Sequence, residues 1–471
     1  MESEQKYQIV KTRDDHAPVF LTRDTESSES PKPFLLLDDT ECTWAPDSDP
    51  FGPETLRPRI EPWLTALVQS DHLSLLTGSG LTHAVHGMAA CGSPRGMEPV
   101  GLDTFSDEIK VEARRFAKAA NRQRGNFEDE FRAASELLRG LEILISTKQD
   151  VAPKQQMVQA LRSGLTNALG SFAGFVLEGE RNLVSASPEK RERAFRYLVS
   201  FLMSFASRSG TRERLHLFTT NYDRYIEAGA DVAGLHLIDR FVGTLAPVFR
   251  ASRLDVDLHY NPPGIRGEPR YLEGVARFTK LHGSVDWIDR DGQIQRIGLP
   301  FGATDTKRYL VSPGLDGANA LQLMIYPNAA KDRETASYPY VELFRDFATA
   351  ICRPNSTLVC YGYGFGDEHI NRVIEDMLTI PSTHLVIISY SDPLFRITEM
   401  YERLGRHAQV TLLIGDHLAD LETLVKYYLP KPAIDLTTVR MADLLQARWS
   451  ITREEDNLGE NDRGNDGDLE Q

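Results

Sequence analysis

The chain has 471 residues, 41% of them hydrophobic, which gives it room for two or three domains and a sizeable core. Its formal charge of −15 argues against a general nucleic-acid binder, because phosphate affinity rests on Lys and Arg neutralising backbone charge. The four cysteines, Cys42, Cys91, Cys352 and Cys360, form no C-x-x-C pair, so no zinc site is expected. There is no cationic start with an apolar run behind it, and the longest apolar helix candidate, YLVSFLMSFA (197–206), is too short to cross a bilayer. A cytoplasmic protein without membrane contact is therefore expected.

Residues 1–55 are rich in Asp, Glu, Ser and Pro and read as a flexible acidic arm, with one apolar island, PFLLLDD (33–39), that could pair as an added strand or dock onto a partner. A helical pattern from Leu56 leads into LSLLT (73–77), a buried-strand run followed by Gly78, Ser79 and Gly80. From 105 to 210 apolar residues recur three and four apart, as in FEDEFRAASELLRGLEILI and ERAFRYLVSFLMSFA, predicting an all-helical insertion. Strand patterns return at 215–221, 277–282, 308–313, 356–364, 384–390 and 409–415, and helical patterns separate most of them. Continuous apolar strands alternating with helices predict an α/β fold with a doubly wound, mainly parallel, Rossmann-like sheet covered on both faces. Its catalytic domain would comprise 56–104 and 211–435, with the helical insertion at 105–210 and a C-terminal helix and disordered acidic tail at 436–471.

Four segments carry the chemistry: LLTGSG (75–80), TTNYD (219–223), KLHGSVDW (280–287) and CYGYGFGDEHI (360–370). Each follows or ends a strand pattern, and a doubly wound sheet would set all four along the edge where such folds bind nucleotides. Gly78-Ser79-Gly80 at a helix start either holds a phosphate on backbone N–H groups or is a tight turn, with Thr82 adding a hydroxyl donor or helping to cap the helix. Asn221 and Asp223 either cap the following helix or meet a ligand: the amide would orient a ribose hydroxyl or a water, and the carboxylate would accept from a ligand amide. His282 has the ordinary imidazole pKa suited to a general base near neutrality, although many histidines are structural or exposed. Gly362, Gly364 and Gly366 permit close backbone approach, and Asp367 reads as a helix N-cap. Ser389 and the Gly415-Asp416 pair stand at later strand ends, as ribose or adenine contacts or as ordinary loop residues.

At these residues the chain resembles the sirtuin superfamily, specifically the Sir2-like group of bacterial antiphage defence systems, over roughly 60–100 and 210–430. GSGLT (78–82) is similar to the family's GAG-x-S loop, TTNYD to its T-x-N-x-D element, KLHG to the element bearing the catalytic histidine, and GYGFGDEHI to the G-Y-S-F-G-D form of the defence branch. Two departures stand out: Gly364 replaces the usual Ser, and THAVHGMAACGSP lacks the Pro-Asp-Phe-Arg run. The resemblance implies a Sir2-type fold with NAD as substrate. Asn221, Asp223 and His282 would be catalytic, and Gly78, Ser79, Gly80, Thr82, Gly362, Gly364, Ser389 and Asp416 would bind the dinucleotide. Without the four-cysteine zinc module of the deacylating sirtuins, it implies an NAD glycohydrolase (NADase) that depletes an infected cell's nucleotide. The alternatives are an NAD-dependent deacylase or ADP-ribosyltransferase, and a non-catalytic nucleotide sensor. By the same resemblance the chain would form a homo-oligomer and work with a separate partner, a HerA-like ATPase or an Argonaute-type protein.

Overall fold

The computed structural model describes most residues between 7 and 431. Positions 13–14, 24–32, 38–41, 46–48, 96, 99–100, 120–121, 147–151, 209–211, 261–269, 291, 307, 311–322 and 326–337 lie outside the description, as do both ends beyond 7–431. The helix and acidic tail expected at 436–471 fall there.

The strands in chain order are β1 (Tyr7–Lys11), β2 (Val19–Arg23), β3 (Phe34–Leu36), β4 (His72–Thr77), β5 (Leu215–Thr219), β6 (His236–Ile238), β7 (Phe241–Val242), β8 (Val248–Phe249), β9 (His259–Tyr260), β10 (Arg270–Tyr271), β11 (Val275–Lys280), β12 (Gly283–Arg290), β13 (Gln293–Arg296), β14 (Leu323–Ile325), β15 (Ser356–Tyr361), β16 (His384–Ser389) and β17 (Val410–Ile414). The main sheet runs β3-β2-β1-β17-β16-β15-β4-β5-β11-β6. From β17 to β6 every neighbouring pair is parallel. After β4 the chain builds outward through β5, β6 and β11, then returns to the other side of β4 for β15, β16 and β17. The switch point is therefore the gap between β4 and β15, where open α/β sheets place their ligands. The chain is an α/β protein with a Rossmann-like, mostly parallel sheet.

Strand geometry explains why the apolar runs are continuous. Successive side chains point to opposite faces, so a strand covered on both sides is mainly apolar. Leu75, Leu217, Val359, Val386, Ile388 and Leu413 enter one core with Leu56 and Ile60 of α1 (Pro53–Val68). Leu76, Phe218, Leu358, Cys360, Ile387 and Leu412, their immediate neighbours, enter the other. The first core also takes apolar faces of α2 (Ser79–Ala89), α6 (Pro188–Ala206) and α7 (Tyr225–Ala233). The second takes those of α8 (Tyr340–Ile351), α9 (Glu368–Leu378) and α10 (Arg396–Leu404).

Two regions differ from the sequence expectation. Within the acidic arm, β1, β2 and β3 form an antiparallel extension joined to β17 through Ile9–Ile414 and Val10–Leu413. It covers what would otherwise be an unpaired parallel edge, and β3 coincides with the PFLLLDD island. The strand pattern at 308–313 gives a turn in its described part, because Tyr309 N and Leu310 N both donate to Thr306 O.

The residues between 105 and 210 divide between two partners. α3 (Ser106–Ala119), α4 (Phe127–Ser146) and α5 (Ala152–Ser185) share a third core with Tyr222, Val285, Ile288 and Leu323. They thus meet the second sheet, ordered β14-β12-β13-β8-β7 and antiparallel where its pairs are registered. α6 instead buries Phe201, Leu202 and Phe205 against the main sheet.

Candidate functional site

The turns at the carboxyl ends of β4 and β15 are bound to each other, and to β16, by backbone. Gly78 N donates to Tyr361 O, Gly80 N donates to Gly362 O, and Gly362 N donates to Ile388 O. The fit leaves no room for side chains: a Cβ on Gly80 would lie 2.5 Å from Gly362 Cα, and one on Gly78 would lie 2.5 Å from Gly362 O. Gly362 also has φ of +60°, a left-handed conformation that glycine adopts without steric cost. The glycines at 78, 80 and 362 are thus demanded by this close approach. At Gly364 a Cβ would meet nothing within 4 Å, so only the open cleft lies beyond it.

That cleft, of about 740 Å³, is lined by Gly78, Ser79, Thr82, Asn221, Asp223, His282 and Gly364 together. Residues from four distant segments of sequence therefore face one space. Gly80 and Gly362 lie just behind it, consumed in the contact between loops. The start of α2 contributes Ser79 to the lining, while the Gly80 amide, a candidate phosphate donor, is committed to Gly362 O.

The Asn-Tyr-Asp turn is held by a short network. Asn221 Nδ2 donates to Gly78 O at 2.9 Å and to Thr82 Oγ1 at 3.1 Å, and Thr82 Oγ1 donates to Asp223 Oδ2 at 2.5 Å. Both amide hydrogens of Asn221 are spent on the protein, so its remaining capacity toward a ligand is acceptance at Oδ1. The single hydroxyl proton of Thr82 goes to Asp223, so in this arrangement it is not offered to a phosphate. Asp223 Oδ1 accepts from Tyr225 N at 3.3 Å. Burial raises the Asp223 carboxyl above its ordinary range, against the opposing pull of Lys280, Thr82 and Tyr225.

His282 follows β11 in the tight turn before β12 and is 8% exposed. Its Nε2 lies 3.8 Å from Asp367 Oδ2, and its ring stands 6.4 Å from that of Tyr222. Asp367 occupies the N-cap position of α9, but its side chain makes no capping bond there; the carboxylate stands beside the imidazole. The GYGFGDEH loop is braced from within: Asn371 Nδ2 donates to Phe365 O at 3.0 Å, and Tyr363 OH donates to Asn371 Oδ1 at 3.1 Å.

Several residues that sequence reasoning passed over fix this geometry. Lys280, 1% exposed, donates from Nζ to Asp223 O and to Glu227 Oε1, tying the Asn-Tyr-Asp turn to α7. Arg224 makes paired bonds to Glu180 of α5 and donates to Leu299 O and Pro300 O. Lys280 opens the KLHG element and Arg224 follows TTNYD, a signal that gains meaning only when their buried partners are known. The wall facing the loops comes from α3, α4, α5 and the segments before and between them, with Met97, Phe116, Phe172, Phe175 and Val176 apolar and Arg95, Arg122 and Arg132 cationic. Arg122 is anchored to the fully buried Asp129 by bonds of 2.7 and 2.8 Å. Arg396, at the start of α10, also lines the cleft, and its Nη1 would lie 2.8 Å from a Cβ on Gly366.

Ser389 and Asp416 do not line this cleft. Ser389 is buried and donates to Ser391 O at 2.8 Å, and Asp416 Oδ1 accepts from His417 N at 3.0 Å. The nearby Gly415 is covered by Gln8 of β1, whose Oε1 would lie 2.3 Å from a Cβ there. The antiparallel extension thus occupies the end of β17. Among the described residues no group of three or more His, Cys, Asp or Glu is arranged to hold a metal ion, and no helix is long and apolar enough to cross a membrane.

A family model described as the SIR2-like domain matches residues 215–413. The match opens on β5 and closes within β17, so it includes Asn221, Asp223, His282, Gly362 and Gly364 and leaves the Gly78–Thr82 loop outside. No curated protein matches the chain.

Proposed function

We propose that the protein is an NAD glycohydrolase, cleaving NAD and water to nicotinamide, ADP-ribose and a proton. The observation that carries this is the convergence of Asn221, Asp223 and His282 on one cleft beside the glycine loops of the switch point. The SIR2-like match over 215–413 supports NAD as the ligand class, since Sir2-like domains bind NAD.

Breaking the bond from nicotinamide to ribose passes through an oxocarbenium-like state, and neutral nicotinamide leaves with little acid assistance. The protein's task is to orient the sugar, place one water at the anomeric carbon and accept a proton. Asn221 Oδ1 would accept from that water or from a ribose hydroxyl. Asp223, held by Thr82, would accept from the nicotinamide carboxamide, and His282 would take the proton directly or through a ribose hydroxyl, with Asp367 beside it.

By the resemblance, deacylating sirtuins build an acyl-lysine channel with a four-cysteine zinc module, whereas the wall of this cleft carries helices, which favours water as the acceptor over a protein group. Following the defence-branch form of GYGFGDEHI, we place the reaction in an antiphage setting, as NAD depletion by a cytoplasmic homo-oligomer working with a HerA-like ATPase. The purified chain, alone and with such a partner, should release free nicotinamide and free ADP-ribose from NAD in equal amounts. Label retained on protein would instead identify a transferase, and binding without release would identify a sensor.

A further inference from the structure

At the opposite, amino-terminal end of the strands lies a separate cavity of about 230 Å³, and none of its lining residues reaches the cleft. Three guanidinium groups meet there. Arg240, 4% exposed, grips Asp346 through Nε and Nη2. Arg277 and Arg353 share a single carboxylate, Glu213, which also accepts from His72. In all, five arginines line the cavity, with Arg214 and Arg345 beside these three, against the three carboxylates Glu213, Asp255 and Asp346. Arg240 Nη1, Arg277 Nε and Arg353 Nε are buried without a hydrogen-bond partner among the described residues. The excess positive field is felt at His216 in the same wall, pushed well below its ordinary value by burial and then by Arg277, Arg240 and Arg353. The space exceeds the ~30 Å³ share of a single water, and guanidinium forks suit tetrahedral oxyanions.

We propose that this cavity is a second site, which binds an oxyanion of the phosphate class through Arg240, Arg277 and Arg353. Its occupant is inorganic phosphate or the phosphate end of a small ester. The inference does not depend on the NAD reading, because binding is measured directly. The thermal midpoint of the full chain is followed against orthophosphate and against ribose 5-phosphate, with chloride at equal ionic strength as reference. Orthophosphate should raise the midpoint progressively with the logarithm of its concentration above the apparent Kd, and a tighter apparent Kd for the ester would identify that source. Arg353→Gln should weaken the apparent Kd at least about tenfold, the loss expected for one charge-assisted hydrogen bond. The exposed Arg345→Gln on the cavity rim, which is safe for folding, should weaken it by about threefold. Arg396→Gln in the dinucleotide cleft should leave it unchanged. A phosphate shift no larger than that of chloride overturns the site, as does a shift lost in Arg396→Gln and retained in the two cavity variants.

Discussion

The floor and the wall of the cleft are built on different principles. The floor is made of strand-end loops locked by backbone contact, with short polar side chains whose bonds are mostly internal: Asn221 to Gly78 and Thr82, Thr82 to Asp223. The wall is made of helices that present large rings, Phe116, Phe172 and Phe175, with one cation from a helix, Arg132, and two from the connecting segments, Arg95 and Arg122. Small, pre-oriented groups suit the reacting atoms, where a displacement of an ångström is costly. Broad apolar area with a few long cations suits recognition of a large ligand. Chemistry should thus reside in the floor and affinity in the wall.

The sharpest way to break that contrast is to remove the floor's acting groups. Asn221→Ala and His282→Ala should each lower kcat for NAD by at least about a hundredfold, the scale of a positioned base, with the fold intact by circular dichroism. Near-normal nicotinamide release by either folded variant removes the assignment. The floor's support is tested next: Lys280→Ala leaves Glu227 and the Asp223 turn without their buried cation and should cost about 3 kcal/mol in urea unfolding, the lower end for a broken buried pair. An unchanged urea midpoint would show that Lys280 does not hold the turn. For the wall, Phe175→Ala should raise KM for NAD by up to about tenfold while kcat holds, the pattern of lost uniform binding. A fall in kcat as large as that of His282→Ala would erase the distinction between the two surfaces.

The smallest effect concerns proton linkage. Burial raises the folded-state pKa of Asp223 above its unfolded value, so the native state holds the proton more tightly. Its contribution is then most favourable at low pH and is lost as pH rises from the unfolded toward the folded value. The difference in thermal midpoint, wild type minus Asp223→Asn, should therefore decline as pH is raised through the range above ordinary carboxylate titration. A difference that grows with pH would mean that Lys280 and Thr82 outweigh burial.

The parallel sheet was legible because strands buried on both faces are mainly apolar, as LSLLT, LHLFT and HLVIIS are, with isolated buried polar residues such as Ser74 and His216. The loops that carry Asn221, His282 and Gly364 were legible for the same reason, since each sits where such a run stops. The antiparallel edge was harder to read: β1 and β2 lie among acidic and Ser-rich residues, and only pairing with β17 makes them strands. Asp367 read as a cap because its position is that of a cap, and its nearness to His282 depends on how β11 and β15 lie in the folded sheet. The wall was read as helix but not as lining, because amphipathic periodicity reports that a face is buried without naming its partner. Ser389 and Asp416 follow the same strand-end logic as Asn221, yet they sit two and three strands from β4, beyond the switch point.

The contact of Gly78 and Gly80 with Gly362 also bears on how a ligand enters. Two turns that touch main chain to main chain cannot swing apart one at a time without breaking the hydrogen bonds that join them. Any gate to this cleft must therefore be hung on its other sides, α3, α4 and α5 or the start of α10, and the timing of entry and release becomes a property of those helices.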